Sequence, residues 1–112
     1  MVDELEEPAD ELPATPGTLA EEHPEVWEAY SELGEACATA GPIDDETKRL
    51  IKLGMAIAAQ SEGAVHSHVR RALDEGIDPE AIEQVAILSI PTVGFPQAMA
   101  GRSWIRDLTD EE

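Results

Sequence analysis

The apolar residues of this chain recur at three- and four-residue spacing, in segments that glycine and proline separate. The first segment shows the pattern well, with Val26, Trp27, Tyr30, Leu33 and Cys37 on one stripe. Such spacing places side chains on one face of an α-helix, whereas strands need strict alternation. No segment alternates in this way. The sequence therefore predicts an all-α fold.

The stripes and their punctuation predict about five helices in a bundle. They run over about 24–40, 45–59, 62–75, 79–90 and 95–108. Asp44 and Asp78 are suited to capping helix starts, and Gly76 to a left-handed stop. Pro91 is expected to break the fourth helix. The second helix is apolar nearly all round, which predicts that it is the buried centre of the fold.

The interior must be built without many aromatic side chains, which make up only 4% of the 112 residues. Alanine, leucine, isoleucine and valine then form the core, which favours closely packed helices in a single domain. A small helical subunit of this composition often completes its core by self-association. We therefore expect a homo-oligomer.

The charge balance excludes two classes of partner. The chain has 25 acidic and 7 basic residues, a formal net charge of −18. Such a field repels nucleic acid and anionic membranes. Because the acidic excess covers the helical part as well as the N-terminal tail, it favours adaptation to high salt over an ordinary solvated acidic surface.

The N-terminal segment and the single cysteine complete the composition. Residues 1–17 hold six carboxylates, three prolines and no base, which predicts a disordered acidic tail before a helical domain over 18–112.

Cys37 permits no intrachain disulfide and lies on an apolar stripe, which predicts a buried thiol in a reducing compartment. With no secretory signal pattern and no apolar run near 18 residues, the expected location is the cytoplasm.

Several short motifs follow one another in an order that resembles the carboxymuconolactone decarboxylase family, which is related to the AhpD-like alkylhydroperoxidases. They are Gly-Pro-Ile-Asp at 41–44, Thr-Lys-Arg-Leu-Ile at 47–51, His-Val-Arg-Arg-Ala-Leu at 68–73, Pro-Glu-Ala-Ile at 79–82 and Gly-Phe-Pro at 94–96. The resemblance covers roughly residues 23–108. It implies an AhpD-like helical bundle that assembles into trimers or hexamers.

The family that the chain resembles has two branches with different chemistries. The peroxidase branch has a Cys-x-x-Cys pair, a histidine four residues after the second cysteine, and a glutamate on the preceding helix. These positions fall on Ser61, Ala64, His68 and about Arg49, so only the histidine is kept. A thiol peroxidase needs an attacking thiolate and a resolving thiol, and neither is present there. The decarboxylase branch lacks the pair and keeps the histidine. The resemblance thus implies a cysteine-independent lyase for a small carboxylated lactone or keto acid.

Three residues of the third predicted helix are the candidate catalytic groups. His68 lies on its more apolar face, where it either lines the active pocket or is a core histidine with one hydrogen bond. Glu62 and His66, one turn apart on another face, form either a carboxylate-oriented imidazole for proton transfer or an exposed helix pair.

A metal site or cofactor is not predicted within one chain. His66 and His68 are two residues apart, so they point about 200° away from each other on a helix. One ion could combine them with Glu62 only across subunits.

Five of the seven basic residues lie between positions 48 and 71. Arg49, Arg70 and Arg71 are predicted to bind the carboxylates of a small organic acid. The alternative is ordinary ion pairing at the surface or between subunits. Two functions therefore follow from the sequence, an enzyme with His68, His66 and Glu62 in proton transfer, and a non-catalytic oligomeric binding scaffold.

Overall fold

Six α-helices and no strand make up residues 14–110, the part of the chain that the computed structural model describes. The helices are α1 (Ala14–Glu22), α2 (Pro24–Ala38), α3 (Asp45–Ala58), α4 (Glu62–Asp74), α5 (Pro79–Val93) and α6 (Phe95–Thr109). The all-α prediction is confirmed, and α1 is the helix that the sequence did not predict. The acidic tail predicted over 1–17 lies outside the described residues up to position 13, and its last four residues begin α1. Its disorder stays a prediction.

The chain divides into two units at the junction of Ile43 and Asp44. In the first unit α1 and α2 pack on each other, and Pro24 begins α2 at a position where its missing N–H costs nothing. The apolar stripe of α2 is accessible, with Val26, Tyr30 and Leu33 all more than half exposed. Cys37 on the same stripe is exposed as well. The prediction of a buried thiol is therefore wrong, because among the described residues of this unit no side chain encloses the stripe.

The second unit packs α3, α4, α5 and α6 around one core. Its largest fully buried side chains are Leu53, Ile57, Val65, Val69, Ile82 and Ile105. Each contributes roughly 2 kcal/mol through removal of apolar surface from water. The packing of Val65 and Val69 of α4 against the same cluster as Ile105 of α6 fixes the two helices side by side.

Only part of α3 is buried, which corrects the prediction of a helix enclosed on all sides. Leu53 and Ile57 have no exposed surface, whereas Ile51 and Met55 are 40% and 65% exposed. The exposed side of α3 borders an apolar groove of about 510 Å³ that runs along α5 as far as Val93. Within the second unit, no described residue covers this side of the helix.

The turns on either side of α4 set its start and end. Gln60 has a left-handed backbone (φ 56°), and its side-chain Nε2 donates to the carbonyls of Ile57 and Gln97 at 2.8 and 3.0 Å. Ser61 then caps α4 by accepting from the Ala64 N–H at 3.4 Å. Gly76 (φ 83°) ends the helix as predicted, since this conformation costs glycine nothing.

Two details of α5 and α6 differ from the sequence prediction. Pro91 lies inside α5, which continues to Val93, so the proline costs one backbone hydrogen bond without ending the helix. Gly101 allows α6 to approach α3 closely, since a Cβ there would lie 2.8 Å from two side-chain carbons of Ile57. Asp78 caps α5 as predicted and accepts from the Glu80 N–H at 2.9 Å.

No helix within residues 14–110 is both long enough and apolar enough to cross a bilayer.

Candidate functional site

His68 lies on the side of α4 that faces α3, and only 7% of its surface is exposed. Its Nδ1 is 2.8 Å from Nη1 of Arg49. A guanidinium can only donate, so Nδ1 must be the unprotonated acceptor. The ring in this geometry is therefore a neutral imidazole whose proton is on Nε2.

Arg49 is held in turn by a carboxylate at the end of α4. Its Nε and Nη2 donate to the two carboxylate oxygens of Glu75 at 3.2 and 2.9 Å, a two-pronged pair in which the Arg49 side chain is only 2% exposed. Glu75 is the C-terminal cap residue of α4, seven positions after His68 and thus on the same face. The three residues form one connected cluster, which we call the Arg49 cluster.

Of the other two arginines that the sequence predicts to bind substrate, Arg71 is buried and Arg70 is half-buried. Arg71 follows His68 by three residues, which places it on the same side of α4, and its Nε donates to Ser67 Oγ at 3.3 Å. Arg70 lies on the side of His66. The structure thus divides the predicted substrate-binding residues between two sides of one helix.

His66 lies on the side of α4 that faces α6. Its Nε2 is 2.8 Å from Oδ2 of Asp107, and the two side chains are 29% and 51% exposed. Glu62, one turn before His66, brings a carboxylate oxygen into the same group, so that one ligand atom from each of the three residues lies within 4.8 Å of the others. We call Glu62, His66 and Asp107 the acidic cluster.

The residues that the sequence predicts as catalytic are therefore not in one place. Glu62 and His66 share a side of α4 as expected, and His68 is on another side with different partners. The groove between α3 and α5 is lined by none of them. Sequence reasoning missed Glu75 and Asp107. The seven-residue spacing from His68 could have suggested Glu75, whereas nothing local indicates Asp107, which comes from another helix.

One further carboxylate joins α5 to α6. Glu83 accepts from Arg102 Nε at 2.8 Å and from Arg106 Nε at 3.3 Å. The hydrogen bond from Arg102 is the main cause that lowers the pKa of Glu83, with help from Arg106 and against a smaller opposing effect of burial. Both arginines of α6 are thereby committed to Glu83, and the acidic cluster is left without them.

Taken with the fold, these features define the class of protein as a small helical bundle with a buried, positioned histidine in a unit that contains no cysteine. Residues 24–107 match the family model described as the carboxymuconolactone decarboxylase family, and the chain belongs to that family. The matched segment begins with α2 and ends at Asp107, so it includes both clusters. The family that the motifs resemble is thus confirmed.

A curated relative adds little about activity. An uncharacterized protein of Haemophilus influenzae (strain ATCC 51907 / DSM 11121 / KW20 / Rd) is 32% identical over 56 residues, which is half of this chain and half of that protein.

Proposed function

We propose that this protein is a cysteine-independent lyase of the decarboxylase type, which acts on a small carboxylated lactone or keto acid. The observation that supports it best is the Arg49 cluster, which presents a buried imidazole in one tautomer. Family membership supports the reaction class, and the residues at 61 and 64 leave no thiol for the peroxidase alternative.

His68 is the residue to which we assign proton transfer. In a decarboxylation the bond between the carboxylate carbon and its neighbour breaks, carbon dioxide leaves, and the electron pair stays on the neighbouring carbon. That carbon must then take up a proton, and the Nε2–H of the imidazole can supply it, which leaves an imidazolate beside the Arg49 guanidinium that can stabilise its charge. The ring regains the proton from solvent. Arg49 and Glu75 would orient the imidazole, much as a buried acid orients the histidine of a hydrolase.

We place the arginine that binds the substrate carboxylate on the same side of α4 as His68. Arg49 already bonds to Glu75 and His68, so we expect it to position the imidazole rather than to bind substrate. Arg71 lies on the same side of α4 as His68, and this position is our reason for assigning a substrate carboxylate to it. Arg70, on the other side, is not expected to reach the same ligand.

The test is release of carbon dioxide from carboxymuconolactone and a panel of small keto acids. A His68→Gln variant should keep the fold and lose about 10²–10⁴-fold in turnover, the usual contribution of a general acid. His23→Gln, at an exposed histidine before α2, is the matched control and should turn over normally. If His66→Gln removes turnover and His68→Gln does not, our assignment of the proton donor is wrong.

A second function, a non-catalytic binding scaffold, is favoured by one observation. Within the Arg49 cluster, the Glu75 carboxylate balances the charge of the guanidinium, and the guanidinium donates a hydrogen bond to the His68 imidazole. Such a cluster stabilises the fold even if no ligand ever binds to it. In that case His68→Gln should destabilise the protein, and no acid on the panel should be turned over or raise the melting temperature of either form.

We also propose that the chain acts as a homo-oligomer, a trimer or hexamer, whose copies cover the apolar side of α3. Exposure of Met55 and Leu88 beside the groove supports this, since a continuous apolar surface of this kind is unusual on a monomer. Subunits with a net charge of −18 repel each other when salt is removed, so the assembly should weaken at low ionic strength. A monomer mass by light scattering in molar salt would contradict this.

A further inference from the structure

The acidic cluster lies on the opposite side of α4 from the proposed proton donor, and the proposed function does not use it. It combines an imidazole nitrogen with two carboxylates, from the start of α4 and the last turn of α6. These are ligand types that transition metals bind in proteins.

The geometry is close to what a metal ion requires. Zinc bonds to nitrogen and oxygen at about 2.0–2.2 Å, so tetrahedral ligands lie roughly 3.4 Å from one another. The three candidate atoms are all within 4.8 Å of each other, and one pair, His66 Nε2 and Asp107 Oδ2, is 2.8 Å apart. That pair would open by somewhat more than half an ångström, and Glu62 would move in. Exposed side chains can do both by small rotations.

The charges at the cluster also favour a cation. Among residues 17–110, Glu62 makes no side-chain hydrogen bond or ion pair, and the partner of Asp107 is His66. Arg106, which is next to Asp107 in sequence, is committed to Glu83. Two carboxylates therefore converge on one imidazole without a basic side chain that neutralises them. A divalent cation would supply that charge.

The backbone that carries the ligands is fixed by the core. Val65, beside His66, has no exposed surface, and neither has Ile105, two residues before Asp107. Both belong to the same buried cluster. The start of α4 and the end of α6 are thereby held at a constant separation, and the ligands need only side-chain adjustment. Such support by rigid elements is what distinguishes a built metal site from a chance surface contact.

We propose that Glu62, His66 and Asp107 form a binding site for a divalent transition-metal ion of the zinc type, with one position open to solvent. The imidazole selects against Mg²⁺ and Ca²⁺, which prefer oxygen ligands alone. A bound ion links the N-terminal end of α4 to the C-terminal end of α6. It therefore stabilises the folded chain by mass action.

The experiment is a calorimetric titration of the full chain with Zn²⁺, repeated in excess Mg²⁺. We expect one saturable ion per chain, little competition by Mg²⁺, and a melting temperature that rises with Zn²⁺ until the site is full. His66→Asn and Asp107→Asn should each weaken binding by at least the 10–100-fold that loss of even an indirect partner costs. Because both residues are partly exposed, the variants should fold, which circular dichroism checks.

Two variants serve as matched controls. His23→Asn removes another accessible histidine, and Asp110→Asn removes an acid just after α6. Both should bind Zn²⁺ as the unaltered chain does. The proposal is overturned if Zn²⁺ does not saturate, if Mg²⁺ displaces it at similar concentration, or if His66→Asn binds as tightly as His23→Asn. Any of these results would show that only the general negative charge of the chain attracts the ion.

Discussion

The two sides of α4 differ sharply although their histidines are only two residues apart. His68 is buried against α3, where Arg49 fixes its tautomer, and His66 is partly exposed and faces the carboxylates of Glu62 and Asp107. The same residue type therefore has two settings: His68 is a neutral, oriented imidazole, and His66 is a candidate metal ligand. What decides the role is the partner that the neighbouring helix supplies.

The ion pairs of the bundle show a similar contrast. The Arg49 side chain is 2% exposed in its pair with Glu75, whereas Arg102 and Glu83 are 35% and 28% exposed in theirs. Burial makes an unpaired charge costly, while water screens and rehydrates the exposed groups. Equivalent substitutions in the two pairs should therefore have very different effects on stability.

The largest effect is expected from Arg49→Met. This change leaves the Glu75 carboxylate and the His68 nitrogen without their shared donor. It should lower the free energy of unfolding by about 3 kcal/mol. That is the lower end of the cost of breaking a buried ion pair, because Glu75 can still reach water. Urea denaturation measures this. Arg70→Met, the matched change on the other side of α4, should stay within about 0.5 kcal/mol. Equal costs for the two would contradict the contrast.

Gly101→Ala should come next, because it acts on the packing that positions α6. The added methyl group would lie 2.8 Å from carbons of Ile57, so the two helices must separate or repack, at a cost of roughly 2 kcal/mol. Gly63→Ala is the control, since nothing lies within 4 Å of a Cβ at that position of α4. It should be neutral or slightly stabilising. A harmless Gly101→Ala in thermal melts would mean that α3 and α6 are packed less tightly than described.

Glu83→Gln should have the smallest effect, about 0.5 kcal/mol, because its pairs are partly solvated. Arg102 lowers the pKa of Glu83 in the folded state. The ionised Glu83 side chain therefore stabilises the fold at pH values above the ordinary carboxyl pKa of 4.5, and this stabilisation is lost as the pH falls through the lowered folded-state pKa. The difference in stability between Glu83→Gln and the unaltered chain should therefore shrink in acid. A difference that is constant from neutral to strongly acidic pH would show that these pairs do not link α5 to α6.

Local signals in the sequence predicted much of this structure. Asp78 and Gly76 bound their helices as their chemistry requires, and helical spacing placed His66 and His68 on different sides of α4. Pro91 was misleading because the loss of one backbone hydrogen bond at a proline does not by itself end a helix. The exposed Cys37 could not be predicted either, since a stripe indicates which face is apolar and not whether anything covers it.

The side-chain partners that come from a different helix could not be predicted from the sequence. Asp107 reaches His66, and Arg49 reaches His68, only because the core sets how each helix is rotated against the next. That rotation depends on contacts such as Gly101 with Ile57, whose sequence signal is one small residue among many. The candidate residues on α4 could therefore be named in advance, but their division into two clusters required the structure.

The contrast between the two histidines is tested most directly by long-range proton–nitrogen NMR of the imidazole rings at neutral pH, assigned with His66→Gln and His68→Gln. We expect His68 to be neutral with its proton on Nε2, and to lose that fixed tautomer in Arg49→Met. Addition of Zn²⁺ should shift the nitrogen signals of His66 and leave those of His68 in place. A proton on Nδ1 of His68, or an equal response of both rings to Zn²⁺, would contradict the assignment of separate roles to the two sides of α4.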